Sequence, residues 1–317
     1  MHKDLIYPIA NFNSVKKRVE ELRHRSEDVK SRLAVTLKKL WNCERSLVSV
    51  PADLDFSALR LRFPQFNEVT DFYENTIISL AQLNLPLEAP PVLLQGDPGL
   101  GKTFYASELA KLINLPFFEI SLATASSSFA LSGSNIQWSE GSTGFISETL
   151  ASSEFANPMI LIDEVDKASS STKYNPINVF YGLLEPHSAK RFKDEALEIE
   201  LDASKIIWIA TGNYIYDIPA PIQSRMRIFN IKQPDPDAML PLIESIYTHV
   251  MNNKSYGQLL DSELDNEVMH QLVNQSPRAV RLAIEEGAFK AIRHQRSKII
   301  SSDLPSNKKE KNRVGFI

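Results

Sequence analysis

The chain has 317 residues, 43% of them apolar and 23% charged, enough for about two domains with buried cores. Its net charge of -4 is too mild to imply a nucleic-acid or membrane partner, and a lone cysteine, Cys43, excludes an intrachain disulfide and fits a reducing, cytoplasmic setting. The first residues hold no apolar stretch of signal-peptide length, and no run of about 18 apolar residues occurs anywhere, so no spanning helix is expected.

In chain order, Val15, Val19, Leu22, Ser26, Val29, Leu33, Thr36 and Leu40 alternate spacings of four and three, a heptad seam weakened at Ser26 and Thr36. The segment is basic, with nine Lys/Arg against four Asp/Glu from Lys16 to Lys39. It reads either as an amphipathic helix packed on its own domain or as a self-associating or partner-binding arm. Residues 46–65 read as a linker because Pro51 and Pro64 break helices. A helix is expected from about Glu68 to Asn84, stopped by Pro86, Pro90 and Pro91.

From Val92 short apolar runs alternate with helical patterns: VLLQ, KTFYASELAKLI, FFEI, a Ser/Gly-rich stretch, MILI, then KIIWIAT. Continuous apolar strands separated by helices predict a parallel sheet covered on both faces. Beyond about Pro234 only helical patterns remain. The expected layout is an N-terminal helical arm over 1–52, an α/β domain over 53–233, a helical lid over 234–303, and a polar, basic, mobile tail over 304–317.

The strand VLLQ runs into Gly96, Asp97, Pro98, Gly99, Leu100, Gly101, Lys102 and Thr103, a G-x-x-x-x-G-K-[ST] loop between a strand and a helix. Glycines let the backbone turn tightly and bring its N–H groups close to phosphate oxygens, and the helix start adds positive potential. Lys102 is placed to reach the β- and γ-phosphates of ATP, and Thr103 to ligate Mg²⁺. The run Met159-Ile-Leu-Ile-Asp163-Glu164 ends a buried strand in two acids. Asp163 suits the cation through its water shell, and Glu164 suits activation of an attacking water. Asp166 and Lys167 read as structural. Asn213, at the end of IIWIATGN, can position water and the γ-phosphate, or be a turn residue.

These residues, in this order, resemble the AAA+ ATPases. The resemblance implies a sensor role for Asn213, an arginine finger at Arg225 in PAPIQSRM, and a second sensor at Arg278 in QSPRAVR, although Arg227 lies close to the finger position. The stretches DEVDKASS, NPINVFYGLLEP, FKDEALEIE and IPAPIQSRM look like the ATPase module of Lon-type proteases, over roughly residues 60–300. That module implies a helix and a hairpin between Asn175 and Asp202, a pore-loop aromatic at Trp138 that grips an extended polypeptide, and base contacts from Phe66 and Val69. Ser139 and Glu140 depart from the pore-loop pattern. Because the sequence stops at Ile317, with no room for a serine–lysine protease domain after the lid, peptidase activity is not expected. The resemblance implies a homo-oligomer, a hexameric ring, that uses Mg-ATP to remodel or thread a protein substrate. Two alternatives stay open. One is a switch or loader acting on nucleic acid through the basic arm; the other is an ATPase subunit whose effector is a separate chain.

Overall fold

The computed structural model describes residues 5–51, 53–125, 127–136, 141–168 and 174–305. They form two compact units. The first holds residues 1–60, 66–98 and 102–231; the second holds 61–65, 99–101 and 232–317.

The first unit opens with strand β1 (Leu5–Pro8), helices α1 (Phe12–Leu22) and α2 (Glu27–Leu40), and strand β2 (Glu44–Leu47), which pairs antiparallel with β1. After α3 (Ser57–Arg62) and α4 (Asn67–Gln82) come β3 (Val92–Gln95), α5 (Lys102–Leu112), β4 (Phe117–Ser121), α6 (Phe129–Ser132), α7 (Phe145–Ser152) and β5 (Met159–Asp163). Then follow α8 (Ile177–Leu183), α9 (Pro186–Ala189), the hairpin β6 (Phe192–Lys193) and β7 (Glu200–Leu201), β8 (Ile207–Gly212), α10 (Ala220–Gln223) and β9 (Arg227–Asn230).

Five strands make one parallel sheet in the order β4-β5-β8-β3-β9. Its centre is apolar on both faces: Val92, Leu93, Leu94, Ile160, Leu161, Ile162, Ile209 and Ala210 have no exposed surface. That is why these strands read as unbroken hydrophobic runs rather than as alternation. The order makes β5, β8 and β3 consecutive neighbours, so their C-terminal ends, where open α/β sheets bind ligands, lie side by side.

Two expectations are corrected. The heptad segment is not one helix: the chain leaves α1 after Leu22, and Ser26 takes the N-cap position of α2 in extended conformation. Ser26 is exposed while Val15, Leu22, Leu33 and Leu40 are buried, so the hairpin turns its apolar side onto its own unit. The segment 46–65 is not a plain linker. β2 occupies its first residues, and Val48 exchanges hydrogen bonds with the buried Asn157 amide, which also donates to the Leu87 carbonyl (2.9 Å). β9, with one buried residue in four, and the short edge strand β1 were not foreseen.

The second unit is helical: α11 (Pro236–Asn253), α12 (Asn266–Leu272) and α13 (Pro277–Arg293) pack around Met239, Ile243, Val268, Leu272, Val280, Ile284 and Ala288. Ser276 caps α13 by accepting from the Ala279 N–H (3.4 Å), and Pro277 follows at the first helical position, where no N–H is needed. At its end Arg296 holds both oxygens of Asp303 at 2.8 Å, and the Ile300 N–H adds a third bond (3.0 Å). The guanidinium keeps the Asp303 carboxyl below its ordinary value.

Candidate nucleotide site

Gly96 begins the loop after β3 with its N–H on the Gly212 carbonyl (3.2 Å). A Cβ there would stand 2.2 Å from the Ile231 carbonyl oxygen, so only glycine fits against this neighbour. Gly101 has φ +89°, and a Cβ built on it would meet nothing within 4 Å. The loop therefore combines left-handed backbone with open space beside it, a cradle suited to phosphate oxygens. Asp97 and Pro98 are exposed and Leu100 is buried. Gly99 belongs to the second unit, where its carbonyl accepts the backbone N–H of Arg278 (3.1 Å).

Lys102 opens α5 and is buried, which is costly for an ammonium without partners. Its Nζ donates to the Gly96 carbonyl (2.5 Å), the Asp97 carbonyl (2.9 Å) and Oδ1 of Asn213 (2.9 Å). Burial pushes its pKa down, and the carboxylates of Asp166, Asp163, Asp97 and Glu164 pull it back up.

Next in the helix, Thr103 donates its hydroxyl to Oδ1 of Asp163 (3.0 Å), the pair that would share a divalent cation. Thr211 on β8, which sequence reasoning missed, donates its hydroxyl to the same oxygen and accepts the backbone N–H of Glu164 (3.0 Å). Glu164 itself sits at φ 55°, a left-handed conformation unusual for a side-chain-bearing residue. Such conformations cost about 1–3 kcal/mol and gather at functional sites. Asn213 is steadied from β3, because Gln95 Nε2 donates to its carbonyl (3.1 Å). Asp166 is buried beside this group, with Oδ2 facing the Tyr214 N–H (3.4 Å) and the Lys167 ammonium (3.6 Å).

Two hydrogen-bonded groups therefore stand at these strand ends: Lys102 with Asn213, and Thr103, Asp163 and Thr211 with the Glu164 N–H. Arg225 follows α10, ion-paired to Glu185 (2.9 Å) and donating to the Pro221 carbonyl (2.6 Å). Arg278 is exposed in the first turn of α13. Phe66 and Val69 have no exposed surface, and Phe66 stacks on Tyr105 with ring centroids 4.3 Å apart. In this conformation both residues, expected to touch a base, are core. Trp138 lies outside the described residues.

At the flank of the sheet, Asp194 ends β6's run and is buried with its pKa pushed up by desolvation. It accepts the Gly144 N–H and Ser147 hydroxyl at the start of α7, and the Ala196 and Leu197 N–H groups of its own hairpin turn.

A family model for the ATPase family associated with various cellular activities (AAA) matches residues 92–233. Curated relatives include a Lon protease of Mycoplasma mobile, 26% identical over 89% of this chain and 34% of that protein. Lon protease 1 of Bacillus subtilis is 32% identical over 49% of this chain and 20% of that protein. The chain thus spans about a third or less of these relatives' length. Among solved structures, RuvB of Thermotoga maritima superposes with a TM-score of 0.52 at 14% identity, covering 75% of this chain and 66% of that one, a likeness of fold. Among the described residues, no helix is long and apolar enough to cross a membrane.

Proposed function

We propose that residues 92–233, which match the AAA family model, form an ATP-hydrolysing domain, and that the chain binds Mg-ATP, assembles into a hexameric ring, and couples hydrolysis to remodelling or threading a protein substrate. The observation that carries the nucleotide chemistry is the convergence of Lys102, Thr103, Asp163, Thr211 and Asn213 at three adjacent strand ends. In this reading the N–H groups from Gly96 to Thr103 and the Lys102 ammonium hold the phosphates. Thr103 and Asp163 hold Mg²⁺, which supplies charge neutralisation on the phosphate oxygens. Glu164 takes a proton from the attacking water, and Asn213 orients that water. Arg225 acts on the nucleotide of a neighbouring subunit, and Arg278 serves as a second phosphate-sensing arginine.

Remodelling of protein, rather than nucleic acid, is supported by the alignment with Lon-type ATPase modules, which extends beyond the catalytic core to 89% of this chain. The test is retention by Glu164→Gln in ATP, compared with Lys102→Ala. A protein client held by the first and not by the second supports the reading. A client destroyed by nuclease overturns it.

A further inference from the structure

The basic arm singled out in the sequence is left unused by the nucleotide chemistry. α1 and α2 pack as an antiparallel pair whose buried residues face their own unit. Between the two helices opens a groove of about 650 Å³. Val19, Leu22, Ala34, Leu37 and Trp41 give it an apolar lining, in which Leu22 and Leu37 are nearly covered and Ala34 and Trp41 are exposed. Trp41 is 47% exposed and is steadied by an edge contact with Phe12, ring centroids 5.2 Å apart. A large indole left in water within an apolar lining is the arrangement of an anchor in a helix-binding groove.

The rim is cationic. Arg23, Lys30 and Lys38 line the groove. Lys30 is paired with Glu27 at 2.7 Å, whereas Arg23 and Lys38 form no ion pair among the described residues. Lys30, Ala34, Lys38 and Trp41 follow one another at helical spacing on one face of α2 and its end. The face from Lys30 to Trp41 is about three turns, or ~16 Å, long.

We propose that this groove docks an amphipathic helix of a protein partner, about three turns long, with an apolar stripe against Leu22, Leu37 and Trp41 and acidic residues against Arg23 and Lys38. Three features favour this occupant. The apolar lining offers nothing to a nucleic-acid backbone, which would need cations along the contact rather than at its edge. The chain's own C-terminal stretch, with Lys308, Lys309, Lys311 and Arg313, brings like charge. A third helix laid between two others also completes a bundle, the ordinary way for such a face to be covered.

The probe is a fluorescein-labelled peptide of about 15 residues, with Leu at i, i+3, i+4 and i+7 and Glu on the flanks, against a scrambled peptide of the same composition. Binding to the full chain is followed by anisotropy and by Trp41 emission, with Trp41→Phe as the spectral reference. The expected result is saturable binding that weakens with salt, and that falls about tenfold or more for the scrambled peptide and for the Ala34→Glu/Lys38→Glu variant. Both changes are on exposed positions, so melting temperature and basal ATPase should stay unchanged. The proposal is overturned by equal binding of the scrambled peptide or by no loss in the variant. It is equally overturned if duplex DNA or anionic vesicles compete better than the peptide. Sedimentation showing a self-association that Ala34→Glu abolishes would assign the groove to a second copy instead.

Discussion

The Nζ of Lys102 and Oδ1 of Asn213 stand 2.9 Å apart although 111 positions separate them in the chain. The contact exists because β3 and β8 are neighbours in the sheet, which aligns the end of one strand with the loop after the other. Lys102→Ala should abolish ATP binding, because the phosphates lose their principal cation. Glu164→Gln should bind ATP normally and lose turnover by about 10²–10⁴-fold. Fluorescent-nucleotide titration and phosphate release separate the two. Near-normal turnover in Glu164→Gln would remove Glu164 as the base.

Thr211→Val keeps shape and strand propensity but deletes the hydroxyl between Asp163 and Glu164. Losing such a supporting contact costs about 10–100-fold in metal affinity or activity. The Mg²⁺ concentration for half-maximal hydrolysis should rise while nucleotide affinity without metal is kept. An unchanged Mg²⁺ requirement would make Thr211 merely a strand residue.

Arg225 is tied to Glu185 within its own chain. If it acts across an interface, Arg225→Ala should bind ATP and hydrolyse it about 10³-fold more slowly. Mixing Arg225→Ala with Lys102→Ala subunits should restore activity at interfaces that pair an intact Lys102 with an intact Arg225. Failure to recover, in mixed rings shown to form, would place Arg225 in a structural role.

Trp138→Ala should leave ATP binding, assembly and basal hydrolysis intact and remove substrate-stimulated hydrolysis. A drop in melting temperature together with lost basal activity, the signature of core truncation at about 3–5 kcal/mol, would count against substrate gripping.

The Arg296–Asp303 pair predicts an acid limit. Asp303 has a folded pKa below its ordinary 3.8, so it stabilises the folded helical unit above that value. The contribution fades as pH falls below 3.8 and through the lower folded value. Asp303→Asn should lose about 1–3 kcal/mol at neutral pH, and the deficit relative to wild type should shrink in acid. A pH-independent deficit would assign the loss to packing alone.

Much of this site was legible because its signals are local. A glycine-rich loop after an apolar run and two acids after another run each declare themselves within about a dozen residues. Thr211 was hidden because a β-branched residue inside IIWIAT satisfies strand propensity without its hydroxyl being noticed. The sequence alone could not place Phe66 and Val69, because an apolar ligand wall and an apolar core have the same composition; here both have no exposed surface. The helix break at 23–26 hid inside a regular heptad spacing, where Ser26 looked like a weak seam position rather than a cap. β9 lay below notice because Arg227, Ile228 and Asn230 face outward and only Phe229 is buried.

Arg45 spends its guanidinium on five main-chain carbonyls, those of Lys39, Asn42, Glu44, Ala151 and Ser153. Ala10 bridges to Leu201, and Ser46 bridges to Phe155. Exchanging the first fifty residues for another segment would leave the Ala151 and Ser153 carbonyls without the Arg45 guanidinium and the Asn157 amide without Val48. Swapping is therefore harder here than at a flexible junction, and the docking face and the ATPase core should be inherited together. Libraries that vary client choice would then do better to alter exposed groove positions than to graft new N-terminal segments.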